Sequence, residues 1–232
     1  MTTAYDEPSG IAARGTLLVA AGRGETEAAY ERFGRRISAD GYRVRVLPDV
    51  TADLAASFTS AEKLLVDDSS PGPKVVVGPD TGALFALALA ARHAPGLDAL
   101  ILAGLPLVGG AVNLLGWEAE VEARTACPNH QRVLGGGAAT PGALFSSPIP
   151  TELIGARGDL ALPTLGLHGD ADTVSPLAEA RAHYPGAVVA IAGGRHDVLN
   201  DVTHRTVAAT IVLFLERLRL GAGLPTIAQV LR

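Results

Sequence analysis

The stretch "KVVVGPDTGALFALALAARH", from Lys74 to His93, runs from β-branched residues through a glycine-flanked turn into an Ala/Leu-rich segment, with Asp80 at the centre of the turn. Gly78, Pro79, Asp80, Thr81 and Gly82 match the G-x-S-x-G pattern of a strand–turn–helix elbow, with aspartate where serine is usual. Such a turn strains its central residue, and its side chain projects at the carboxyl edge of the sheet; the glycines leave it room. A carboxylate there is ionised at neutral pH and needs no base to attack an alkyl carbon or an activated acyl group. An aspartate before a helix is also a common N-cap. The flanking glycines, and two partners further along the chain, favour chemistry over capping.

Those partners follow in the order nucleophile, acid, histidine. "LGLHGDADTVSP" supplies the acid: Asp172 is the favoured position and Asp170 its rival. "AIAGGRHDVLND" supplies His196, which Asp172 would orient towards Asp80. An alkyl electrophile would leave a stable ester on Asp80, to be hydrolysed by water activated at His196. A thioester would leave a mixed anhydride able to pass its acyl group to water, a hydroxyl or a thiol. Asp80 and His196 could instead deprotonate an incoming nucleophile with no covalent intermediate.

Positioning these three side chains requires an alternation of strands and helices, and the sequence has one. The strand-like runs are "GTLLVAA", "YRVRVLPD", "KVVVG", "GLDALILAG", "LPTLGLHG" and "AVVAIAGG", most of them apolar enough for burial on both faces. Helical patterns cover Glu27 to Asp40, part of "TADLAASFTSAEKLLVDDSS", "GALFALALAARH" and "LNDVTHRTVAATIVLFLERLRLG". In the last of these Val207, Ile211, Leu215 and Leu218 form one stripe. The rhythm breaks between Leu105 and Ile154, where a helical stretch around "NLLGWEAEVEARTA" and the loop-like "GGGAATPGALFSSPIP" read as a lid over the site.

The 232 residues fit a single domain with one core, and 48% hydrophobic against 19% charged residues excludes a disordered chain. A net charge of -5 offers no basic stripe, which argues against nucleic-acid or membrane-surface partners. The start lacks a basic region followed by an apolar one, and no apolar run reaches a membrane-spanning length, so the expected location is the cytoplasm. One cysteine, Cys127, excludes an internal disulfide.

Over almost its whole length the chain resembles the α/β-hydrolase superfamily. "LHGDADTVSP" is similar to that family's HGxxDxxxP acid segment, and "GGRHD" to its histidine loop. "LLVAAGRGETEAAYERFGRRISADGYRVRV" is similar to the first strand, oxyanion loop and helix of the lysophospholipase and small-esterase branch. Ala21-Gly22 replaces the usual His-Gly pair, so the resemblance implies an oxyanion hole formed by Arg23 and the Thr81 amide. An aspartate at the elbow resembles the haloalkane dehalogenase and epoxide hydrolase branches, but those follow it with tryptophan where this chain has Thr81. Epoxide hydrolases also use lid tyrosines, whereas Tyr5, Tyr30, Tyr42 and Tyr184 all lie outside the insertion. Trp117 is the lid's one aromatic N–H and the candidate for the substrate pocket.

The resemblance implies an α/β-hydrolase fold, mostly parallel, with a short lid at about Leu105 to Ile154. It also implies acyl chemistry on an ester or thioester, by hydrolysis or transfer to an acceptor, on a small-molecule or carrier-protein-bound substrate. No cofactor is expected. The alternatives are an epoxide or haloalkane hydrolase working through an Asp80 alkyl ester, and a non-catalytic binding protein on the same fold.

Other residues invite blander explanations. His168, Asp170 and Asp172 lack a fourth ligand at metal-site spacing. "AGRGET" lacks the third glycine of a dinucleotide loop. Cys127 with His130 is more simply a packed thiol beside a lid histidine. His93, His183 and His204, the Arg35-Arg36 pair, and Glu118, Glu120 and Glu122 read as solvated surface.

Overall fold

In a strand, alternate side chains point to opposite faces, so a parallel sheet covered on both sides needs apolar residues at every position. The computed structural model, which describes residues 2–109, 116–155 and 160–229, builds the centre of its sheet from such runs, while the strand Arg43–Leu47 alternates Arg43 and Arg45 with buried valines. In chain order the elements are β1 (Thr3–Tyr5), β2 (Thr16–Ala20), α1 (Glu31–Ala39), β3 (Arg43–Leu47), α2 (Leu54–Val66), β4 (Lys74–Pro79), α3 (Thr81–Ala91) and β5 (Ala99–Ala103). Then follow α4 (Trp117–Arg124), α5 (Pro128–Val133), α6 (Ala143–Ser146), α7 (Thr151–Ile154), β6 (Thr164–Gly169), α8 (Leu177–Ala180), β7 (Val188–Ile191) and α9 (His204–Arg219).

The strand order is β1-β3-β2-β4-β5-β6-β7, and every pairing is parallel except that of β1 with β3. Along β2, Leu17 and Val19 join one core with α1 and α9, while Leu18 and Ala20 join the other with α2 and α3. Helix α3 is buried from Thr81 to Ala90, which is why its sequence is apolar all round rather than striped. The stripe Val207, Ile211, Leu215 and Leu218 of α9 is buried as expected.

Chain direction across the sheet reverses at β2, which has β3 on one side and β4 on the other. Open α/β sheets bind ligands at such a point, beyond the carboxyl ends of the strands. The loops after β2, β4, β6 and β7 carry Arg23, Asp80, Asp172 and His196.

The segment between β5 and β6 holds α4 to α7 and a π-helical turn at Leu134–Ala138. Its expected helix is present from Trp117 to Arg124; the part of that expectation at 113–115 lies outside the described residues. The sequence pattern missed β1, whose three residues are too few to show alternation.

Candidate active site

The elbow forms where β4 meets α3. Asp80 has φ 47° and ψ −124°, a sparsely populated conformation for a residue with a Cβ. A Cβ on Gly82 would lie 1.9 Å from the Ala20 carbonyl oxygen, and one on Gly78 would lie 2.1 Å from that of Gly82. Only glycine lets the turn approach β2 this closely.

Asp80 is 4% exposed and meets partners from two other loops. The Arg23 guanidinium forms a fork on it: Nε donates to Oδ2 at 2.9 Å and Nη2 to Oδ1 at 2.7 Å. The Arg23 backbone N–H also donates to Oδ2, at 3.0 Å. His196 Nε2 lies 3.3 Å from Oδ1, and His196 Nδ1 lies 2.8 Å from Asp172 Oδ2. Asp172 is in turn fixed by the backbone N–H groups of Val174 and Ser175, at 2.8 and 2.9 Å on Oδ1. His168 Nε2 is 3.1 Å from Asp172 Oδ2. Asp170 is exposed and accepts from Gly193 N at 2.7 Å instead, so of the two rival acids only Asp172 touches the histidine.

The ionisation states follow from these contacts. Burial pushes the Asp80 carboxyl up, but the Arg23 guanidinium overrides it and holds the group well below the usual carboxylate range. Burial likewise raises Asp172, and the charge of His196 outweighs it, leaving that carboxyl depressed. Burial lowers His196, and the facing Asp172 carboxylate, with Asp80 behind it, more than reverses this and pushes the imidazole up to about 10. Each ring nitrogen faces a carboxylate oxygen, so the resting histidine is an imidazolium between two anions.

Arg23 meets Asp80 in two ways, through its side chain and through its backbone amide. The resemblance implied the Arg23 amide for an oxyanion hole; in the structure that amide donates to Oδ2 of Asp80 itself. The Thr81 hydroxyl lies 3.5 Å from the same oxygen. Trp117 is half-buried, and the contacts that place it are apolar, against the core cluster that also holds Leu134 and Val198.

Arg124 and Glu25, which the sequence gave no reason to single out, form with Glu120 a second buried charged cluster beside the first. Arg124 of α4, 1% exposed, donates to Glu25 at 2.7 Å, to Glu120 at 2.9 Å and to the Arg23 carbonyl at 3.0 Å. Glu120 is therefore not surface: it is 1% exposed and also accepts the backbone N–H of Leu144 at 3.1 Å. Its i,i+4 spacing to Arg124 was the available signal. Glu25 further accepts from the buried Tyr30 hydroxyl. His130 Nε2 sits 2.7 Å from Asp197 Oδ2, and Cys127 Sγ accepts from Arg32 at 3.3 Å, so the thiol and the lid histidine face different partners. Asp201 accepts from Thr125 and Ala126 on one oxygen and from Arg195 N on the other. Together these contacts fasten the lid to the histidine loop. Among the described residues no group of three or more His, Cys, Asp or Glu could hold a metal ion.

No family model matches the sequence. No curated protein matches it either. Solved structures do match in shape. A monoacylglycerol lipase from Paleococcus ferrophilus superposes with a TM-score of 0.74 at 13% identity, over 93% of this chain and 97% of that one. A monoglyceride lipase from Saccharomyces cerevisiae, solved with a substrate analogue, gives 0.68 at 13% identity over 93% and 91%. A meta-cleavage product hydrolase from Pseudomonas fluorescens IP01 gives 0.65 at 16% identity over 94% of each chain.

Proposed function

From the α/β-hydrolase fold of this chain, and the chain of contacts Asp80–His196–Asp172 at its sheet edge, we propose a hydrolytic enzyme for esters or thioesters that works through a covalent Asp80 intermediate. The observation that carries this reading is the placing of His196 between two carboxylates, with Nδ1 2.8 Å from Asp172 Oδ2 and Nε2 3.3 Å from Asp80 Oδ1. Oδ1 of Asp80 attacks the acyl carbon, and the bond to the leaving oxygen or sulfur breaks. His196 gives its proton to that leaving group. Asp80 is then neutral, the histidine is an unprotonated base, and Asp172 keeps it oriented. Water gives a proton to His196 and its hydroxide attacks the mixed anhydride. Collapse releases the carboxylic acid and restores both the Asp80 carboxylate and the imidazolium. An alcohol or thiol in the water's place makes the same cycle an acyl transfer.

One feature favours a second reading, the alkyl-ester hydrolase. Oδ2 already fills the oxyanion position, and displacement at an alkyl carbon needs no oxyanion hole. Attack of water on Cγ of an Asp80 ester would develop its negative charge on this oxygen, between the Arg23 amide and Nε. Against that reading, the residue after Asp80 is Thr81 and not the tryptophan of the haloalkane dehalogenase and epoxide hydrolase branches.

Intact-protein mass after incubation with acyl thioesters, esters, epoxides and haloalkanes decides between them. His196→Ala should accumulate an acyl adduct that Asp80→Asn does not form. An alkyl adduct alone would install the second reading. Absence of any adduct and any turnover would leave a binding protein on a hydrolase fold.

A further inference from the structure

Asp80 has no lone pair left with which to attack. A carboxylate presents about four acceptor positions, two on each oxygen, and five donors crowd them: Nη2 of Arg23 and Nε2 of His196 on Oδ1, and the Arg23 amide, its Nε and, at 3.5 Å, the Thr81 hydroxyl on Oδ2. A nucleophilic Oδ1 therefore requires one donor to withdraw. His196 is held by Asp172, and its backbone N–H donates to the Ala123 carbonyl. Arg23 stands on a long flexible stem, and among the described residues every hydrogen bond of its guanidinium goes to Asp80. Arg23 is the donor that can leave.

It cannot leave for nothing. Its side chain is 9% exposed, and the charge of buried Arg124 bears on it as well. Taking one partner from a buried ion pair leaves an uncompensated charge, one of the costliest arrangements in a folded protein. The guanidinium fork fits a second carboxylate as well as it fits the first. We infer that Arg23 is an exchangeable counter-ion: the substrate's own carboxylate draws the guanidinium off Asp80 and thereby frees Oδ1 for attack. The substrate class is then an ester or thioester whose acyl part ends in a second carboxylate a few carbons from the scissile carbonyl. This rests on the acyl chemistry proposed above. Neutral acyl groups reach a site whose nucleophile stays clamped.

The test compares glutaryl and valeryl thioesters of N-acetylcysteamine, equal in chain length and different only in the terminal carboxylate. The wild-type protein should prefer the glutaryl thioester by more than about tenfold in kcat/KM, which corresponds to roughly 1.4 kcal/mol. Arg23→Gln should lose that preference and gain rate on the valeryl thioester. Equal use of both by the wild type, or a preference that survives Arg23→Gln, would overturn the inference. A binding arm separates it from the acyl reading: calorimetry of the wild-type protein, whose Asp80–Arg23 pair is intact, with glutarate monoamide and valeramide, in which an amide stands in for the scissile thioester. The monoamide should bind and valeramide should not. Binding of neither, or equal binding of both, overturns the exchange. Monoamide binding alongside a wild type inert to both thioesters keeps the exchange and removes the acyl chemistry. Both wild-type measurements need no variant to fold.

Discussion

Arg124 Nη2 donates to the backbone carbonyl of Arg23 at 3.0 Å, so a residue of α4 fixes the loop whose amide and side chain hold Asp80. The segment between β5 and β6 is thus part of the frame around Asp80. Arg124→Met would strand Glu25 and Glu120 in the interior, and breaking a buried pair costs about 3–5 kcal/mol. Urea unfolding should show a loss of that order, and adding Glu25→Gln and Glu120→Gln to Arg124→Met should recover part of it. Stability unchanged in the single variant would mean the cluster hydrates in solution.

Asp172→Asn should lower turnover by on the order of a hundred- to ten-thousandfold, as loss of a triad carboxylate does. Asp170→Asn should stay near wild type, because the exposed Asp170 side chain accepts from the turn at Gly193 and not from His196. Paired kcat measurements check the ranking, and the reverse order would hand the role to Asp170.

Replacing Asp80 by serine should keep or raise simple ester hydrolysis. Removing Oδ2 leaves the Arg23 amide open to a substrate carbonyl, and loss of the carboxylate lowers the affinity of His196 for its proton, so that it can serve as the base serine needs. The same variant should lose any epoxide or halide turnover, because an un-ionised hydroxyl is a poor nucleophile there. Measured rates on p-nitrophenyl acetate and on styrene oxide separate the two outcomes.

The histidine makes stability depend on pH in one direction. Its folded value, about 10, lies above the unfolded 6.5, so its contribution is complete below pH 6.5 and is lost as pH rises through 10. Thermal melts should fall across that window, and His196→Gln should flatten the slope. Asp172, depressed by the same partner, works in the opposite sense: its contribution is present above the ordinary carboxylate range and lost in acid. A wild-type melting temperature flat from pH 7 to 10 would contradict the imidazolium assignment.

The fold was legible because its central strands β2, β4, β5 and β6 are buried on both faces and therefore read as unbroken apolar runs, as "KVVVG" does in β4. The elbow was legible because Gly78 and Gly82 have no steric substitute. What could not be read was the direction of long side chains. Nothing in the spelling of "AGRGET" says that Arg23 turns onto Asp80 while Glu25 turns onto Arg124, since those choices depend on a lid more than ninety residues away. Glu120 looked like surface for the same reason: it lies between charged neighbours, and its burial comes from the return of the chain at Gly142 and Leu144. The edge strand β1 carries too few residues to leave a periodic trace.

The backbone of Asp80 holds a further implication, for heat resistance. A residue with a Cβ at φ 47° costs on the order of 1–3 kcal/mol wherever it occurs, and glycine would occupy the same turn without that strain. Asp80→Gly alone would strand the Arg23 charge, but Asp80→Gly with Arg23→Met would relieve both the strained backbone and the buried pair. A library of this protein screened only for survival on heating should therefore discard these two residues together. Its most durable members would be inert, a trade between durability and activity written into a single turn of the chain.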